Sequence, residues 1–295
     1  MLREFSWRAP VWQADLDAFG EVRSAGLLRL LQETATRAST DAGFDGAYYA
    51  RTGTMWIVRR TTLTLHAPAR YGDVLDVRTW IADFRRVRSQ REYEVTAGGR
   101  LVARASTDWV YVDRAQSRPR RIPEEWERVF MPHGREPHQR IAFVERDPPP
   151  HAPTFERRVE LHELDALQHV NNANYVAYVE QAALDAVSAV GWPLAAQIAA
   201  GGRLRTVAHD LEYLDSALYG DRILVTTWTT AIGEYGVERH THVHRGDPTR
   251  PLLHASSRHE WWHGDERASL PPHLRTALGA PGLRGSRPSD IVAAS

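Results

Sequence analysis

A chain of 295 residues, 42% hydrophobic and 25% charged, is long enough for one large or two small globular domains. Its 37 acidic residues balance 37 basic ones, all arginine, so no net field favours nucleic acid and lysine-dependent Schiff-base or phosphate-loop chemistry is excluded. Cysteine is absent, which removes disulfides, thiolate metal sites and a cysteine nucleophile.

Phe5 to Gln13 reads as a short strand, followed by the acidic loop Asp15-Leu-Asp17-Ala-Phe-Gly20. Leucines at 27, 28, 30 and 31 mark a helix over Ala25 to Ala38 that stops near Gly43. Trp56 to His66, Val74 to Ile81 and Ser89 to Thr96 alternate with the period of strands, with Ile57, Thr61 and Leu63 expected on one side. Gly98-Gly99 signals a hairpin, and Leu101 to Asp113 closes the set. A short helix over Pro123 to Val129 and an Arg/Pro/His-rich linker follow. No run of 18 apolar residues is present and the first residues do not read as a signal peptide, so a cytoplasmic protein with no membrane span is expected.

The pattern then begins again. Asp17 to Asp165, Tyr71 to Tyr219, Trp80 to Trp228 and Gly43 to Gly191 are each separated by 148 residues. That period is far too long for a solenoid and implies two copies of one domain. The second copy has a strand over Phe155 to His162, a helix with apolar face Tyr175, Val176, Val179, Ala182 and Ala183, and strands over Val207 to Leu214, Arg222 to Thr230, Val237 to His244 and Leu252 to Trp262. The fold class is therefore α+β, two tandem domains, each a long helix wrapped by an antiparallel sheet. The boundaries are 1–130 and 154–270, with a linker at 131–153 and a flexible tail at 271–295.

Chemistry concentrates in Glu163 to Glu180. Asp165, His169, Asn171 and Asn172 stand just ahead of the second helix, where unpaired backbone N–H groups point outward. A carboxylate and an imidazole beside a helix start can polarise and attack a carbonyl; a capped helix with a polar loop is the plainer alternative. Asn171 and Asn172 read as caps, and Glu180 as either a supporting group or a surface ion pair. The first copy holds Asp17 but has Glu21 where the second has His169. His240, His242 and His244 alternate on one strand and share a face able to grip a metal; without a companion carboxylate they read as a solvated face, and no metal is expected.

Asp165-x-x-x-His169-Val-Asn171-Asn172-x-x-Tyr175 ahead of a helix resembles the hot-dog-fold thioesterases. Leu31 to Ala35, Trp56 to Arg60, Tyr71 to Val74, Thr79-Trp80, Arg121 to Glu125, Leu164 to Asn172, Leu211 to Tyr213 and Glu260-Trp261 make residues 1 to 263 similar to the acyl-acyl-carrier-protein thioesterases, which carry two fused hot-dog domains. The resemblance implies a cofactor-free hydrolase that releases an acyl group from acyl-carrier protein in fatty-acid biosynthesis. An acyl-CoA thioesterase of the hydroxybenzoyl-CoA type and a non-catalytic acyl-binding module are the alternatives. It also implies Asp165 as base or nucleophile and His169 as its partner, with Asp17 a second site or a degenerate remnant. Leu27, Leu28, Leu31 and Trp56 would hold the acyl chain, and assembly as a homodimer is left open. Two departures stand out: Leu167 replaces the asparagine of the plant D-x-N-x-H loop, and Ser216 and Ala217 replace a glutamate and a cysteine.

Overall fold

Residues 4–130, 137–144 and 146–280 are described by the computed structural model of the chain, which divides after Arg140 into two units. That division falls inside the stretch read as a linker, of which 131–136 and 145 lie outside the described residues.

In the first unit, strand β1 (Phe5–Pro10) leads through a 3-10 turn into helix α1 (Ser24–Asp41) and the short α2 (Gly46–Thr52). Strands β2 (Thr54–Leu65), β3 (Val74–Arg85), β4 (Arg88–Ala97) and β5 (Arg100–Asp113) follow, then α3 (Glu124–Phe130). The strands lie in the order β1-β3-β4-β5-β2, every neighbouring pair antiparallel. Helix α1 buries Leu27, Leu28, Leu31, Ala35 and Ala38, the i, i+3/i+4 stripe seen in the sequence. Gly98 and Gly99 both take positive φ, as a two-residue hairpin that keeps the strand twist requires.

The second unit repeats this with β6 (Thr154–Arg158), α4 (Asn172–Ala189), α5 (Leu194–Ala200), β7 (Gly202–Tyr213), β8 (Arg222–Ile232), β9 (Gly236–Arg245) and β10 (Pro251–His263). A two-residue strand β11 (Glu266–Arg267) and helix α6 (Pro272–Leu278) close it. Its strand order is β6-β8-β9-β10-β7, again antiparallel throughout, with β11 off β10. The starts of α1 and α4, α2 and α5, β2 and β7, β3 and β8, β4 and β9, and α3 and α6 all differ by 148. Each unit is thus an α+β layer of one long helix on an antiparallel sheet.

Two expectations are corrected. The strand alternation breaks at Arg59, where a β-bulge shifts the register between Val58 and Arg60; Ile57 therefore turns outward, 37% exposed, while Thr61 and Leu63 stay buried. The second unit skips Val207, 148 residues on, in the same way. The segment from 271 does not begin as a flexible tail: α6 buries Leu274 and Leu278 against Val187, Val237, Trp261 and Leu270. Its counterpart α3 seats Trp126 and Phe130 among Phe44, Tyr48, Ile81, Tyr111 and Ile122. Residues 281–295 of the expected tail lie outside the described residues.

Candidate active site

The loop ahead of α4 is closed by its own backbone. Asp165 N donates to the His169 carbonyl at 2.9 Å, and Gln168 N to that of Asp165 at 2.9 Å, which puts Gln168 in the left-handed region at φ 65°. Short bridges join Leu164 to Val170 and His169 to Leu218. Asn171 caps the helix, its Oδ1 accepting from Ala173 N at 2.9 Å, as a residue at this position should. Asn172 is the first helical residue, its carbonyl accepting from the Tyr213 hydroxyl at 3.2 Å. Asp165 and His169 are half-buried while Ala166, Leu167 and Gln168 between them are exposed. Asp165 Oδ1 accepts from Leu167 N at 2.8 Å. The arrangement presents a carboxylate and an imidazole at the positive end of a helix, suited to activating water and stabilising an oxyanion. Ala217 is buried and donates its N–H to the Tyr175 hydroxyl at 2.8 Å; burial pushes that hydroxyl up to about 12.

Glu180 lies farther along α4 and reaches the sheet. His209 Nε2 sits 3.4 Å from its Oε1, and His209 Nδ1 sits 2.8 Å from Ser257 Oγ. Both partners are buried, and His259 beside them is held neutral, its pKa lowered to about 3 by burial and by His209 and Arg239. Sequence reasoning named Glu180 and missed His209 and Ser257. The available signal was a histidine at an inward position of β7, alternating with Leu211 and Tyr213.

The first unit keeps the loop and changes its groups. Asp17 N donates to the Glu21 carbonyl at 2.8 Å, but Asp17 Oδ1 is taken by Phe19 N at 2.8 Å and Glu21 N at 3.0 Å. Glu21, in place of the imidazole, accepts from Arg70 Nη2 at 3.3 Å, and Arg23, in place of Asn171, makes no cap. The loop shape persists here without the imidazole.

A cavity of about 300 Å³ opens inside the first unit, lined by the second half of α1 (Ala35, Thr36, Ser39, Thr40) and by Tyr49, Trp56, Trp109, Trp126 and Arg91. Trp56 of the expected acyl-binding set is there. Leu27, Leu28 and Leu31 are not; they are buried in the packing of the first half of α1. Arg91 is 4% exposed, and burial lowers its pKa despite the pull of Tyr93 and Tyr49. The Ser89 hydroxyl makes no hydrogen bond among the described residues, and the Trp56 and Trp109 indoles lie beside the Tyr49 and Tyr93 hydroxyls. The walls are thus aromatic with a few polar groups, a ligand-cavity profile. The strand histidines do not form a solvated face: His240 and His244 are buried, His240 Nε2 lies 3.3 Å from Ser256 Oγ, and His242 and His244 cluster with His254 from β10.

Residues 3–130 match the family described as Acyl-ACP thioesterase N-terminal domain, and 159–278 the Thioesterase-like superfamily. Among curated proteins the chain is similar to oleoyl-acyl carrier protein thioesterase 2 of Arabidopsis thaliana, 26% identical over 52% of this chain and 47% of that one. It is also similar to the palmitoyl-acyl carrier protein thioesterase of Gossypium hirsutum, 28% identical over 53% and 41%. The chain thus spans less than half the length of either. Among solved structures it resembles the 12:0-ACP thioesterase of Umbellularia californica, with TM-score 0.71 and 18% identity over 88% of this chain and 94% of that one. An acyl-ACP thioesterase of Bacteroides thetaiotaomicron gives 0.71 and 15% over 87% and 98%. At such identities the likeness shows the fold. Residues 3–130 are thus similar to the acyl-ACP thioesterase N-terminal domain and residues 159–278 to the thioesterase-like superfamily, on a hot-dog fold in each half.

Proposed function

We propose that the chain hydrolyses acyl thioesters, with acyl-carrier protein as the carrier named by its relatives and CoA as the alternative. The observation that carries this reading is the Asp165–His169 loop closed against the start of a capped helix, inside the span that matches thioesterases. In this reading the thioester carbonyl is polarised at the helix start, and Asp165 attacks it or takes the proton of attacking water. His169 assists, and the C–S bond breaks to give a carboxylate and a thiol. The first unit, lacking the imidazole, serves the acyl group through its aromatic cavity.

The test is thiol release from a panel of acyl chains, each offered on acyl-carrier protein and on CoA. Asp165→Asn is expected to lower kcat/KM by about 100-fold or more, and Asp17→Asn by only a few-fold. Equal losses at both positions would mean two working sites. An unchanged rate in a folded Asp165→Asn variant would remove the loop from the chemistry.

A further inference from the structure

We propose that His242, His244 and His254 in the second unit bind one divalent cation of the zinc class. One ligand nitrogen from each of the three lies within 4.8 Å of the others. Strand geometry brings them together: His242 and His244 alternate on β9, and His254 of β10 stands directly opposite His242 in the antiparallel register. The His242 and His254 rings stack at 4.0 Å, and Trp228 meets His242 edge-on at 4.8 Å, walling that side. Among the described residues, the His242 and His244 rings make ring contacts but no hydrogen bond, so nothing on the protein competes for their lone pairs.

The first unit supplies an internal control. Glu94 and Thr96 stand where His242 and His244 do, and Arg104 stands where His254 does, the latter offset by 150 because the β9–β10 turn is two residues longer. There Arg104 donates to Glu94 at 3.2 Å across the same register. The fold accepts an ordinary ion pair at this place, so packing alone does not call for three histidines. Three imidazoles without a carboxylate in the cluster suit zinc, cobalt, nickel or copper rather than the oxygen-seeking magnesium or calcium. Zinc–nitrogen bonds of about 2.0–2.1 Å need nitrogens about 3.4 Å apart in a tetrahedron, so binding requires the stacked His242 and His254 rings to turn toward a common point, with water in the fourth position.

The experiment uses the untagged full chain stripped with a chelator, titrated with Zn²⁺ by calorimetry and with Co²⁺ by visible absorption. One equivalent is expected to bind, with the strong bands of tetrahedral cobalt. His254→Gln should weaken binding at least 10-fold and His240→Gln should leave it unchanged. A His242→Glu/His254→Arg double variant rebuilds the first unit's ion pair, so it should keep its melting temperature and lose the site. Absence of saturable binding, binding untouched by His254→Gln, or equal loss in His240→Gln would each overturn the proposal. None of these readouts depends on thioester turnover.

Discussion

Arg91→Met and Arg239→Met are one substitution at matched positions of the two units, and their costs should differ. Arg239 is 1% exposed and donates to Thr229 Oγ1 at 3.0 Å and Thr227 Oγ1 at 3.2 Å; burial lowers its pKa to about 10. Arg91 has one contact of that kind, to Thr79 Oγ1 at 3.4 Å, because Ile81 stands where the second threonine would be. Its guanidinium otherwise lies 5.3 Å over the Phe130 ring. Methionine relieves the burial of a guanidinium equally in both cases, so that contribution cancels in the comparison. What differs is two good hydrogen bonds from a charged donor against one long one, each worth about 1.5–3 kcal/mol. Thr229 is also left without a partner, whereas Thr79 still donates to the Glu92 carbonyl at 2.8 Å. Arg239→Met should therefore cost about 2 kcal/mol more than Arg91→Met, which should fall within about 1 kcal/mol of the parent. Urea unfolding followed by tryptophan fluorescence and circular dichroism, at matched m-values, measures this directly. Equal losses would refute the reasoning and give Arg91 a structural role as firm as that of Arg239.

Stability should fall on acidification. His242 and His259 both titrate near 3 in the folded chain and near 6.5 when unfolded, so the unfolded chain takes up protons first as pH drops from about 6.5 toward 3. The slope approaches about 1.4 kcal/mol per pH unit for the buried His259 and is smaller for the part-exposed His242. Urea midpoints at pH 7.5 and 5 that coincide would refute this, and His259→Gln should flatten the difference. Ending the chain after Ser269 removes Leu270, Leu274 and Leu278, buried side chains worth about 1.5–3 kcal/mol each, so the melting temperature should drop by several degrees; an unchanged value would return this segment to a tail. Ala35→Phe fills the cavity of the first unit and should lower kcat/KM for long acyl groups relative to short ones, whereas Leu28→Trp should act through overpacking and not through that ratio. An unchanged ratio in folded Ala35→Phe would place the acyl chain elsewhere.

The architecture was legible because apolar periodicity and the 148-residue offset are written in consecutive residues, as in the Leu27 to Leu31 stripe and the Tyr71/Tyr219 match. The bulge at Arg59 was not, since a bulge is defined by the partner strand. Helix α6 was hidden by Pro271-Pro272, which reads as disorder, although the offset from Pro123 pointed to it. The Asp165 loop was found from local spacing. His209 with Ser257 and His254 with His242 are products of strand register, which no short window of sequence specifies.

The matching backbone closure of the two loops makes the segment before each helix an exchangeable cassette. Asp17 to Glu21 and Asp165 to His169 span the same distance with the same N–H-to-carbonyl bond, and bridges at Glu21–Arg70 and His169–Leu218 pin both to the same neighbouring turn. Residues 163–172 can therefore be transplanted onto 15–24 without insertion or deletion, bringing glutamate, imidazole and helix cap together in one graft. The first half of the chain is a ready recipient for a second copy of the Asp165–His169 loop, and the natural protein can be treated as a two-socket scaffold.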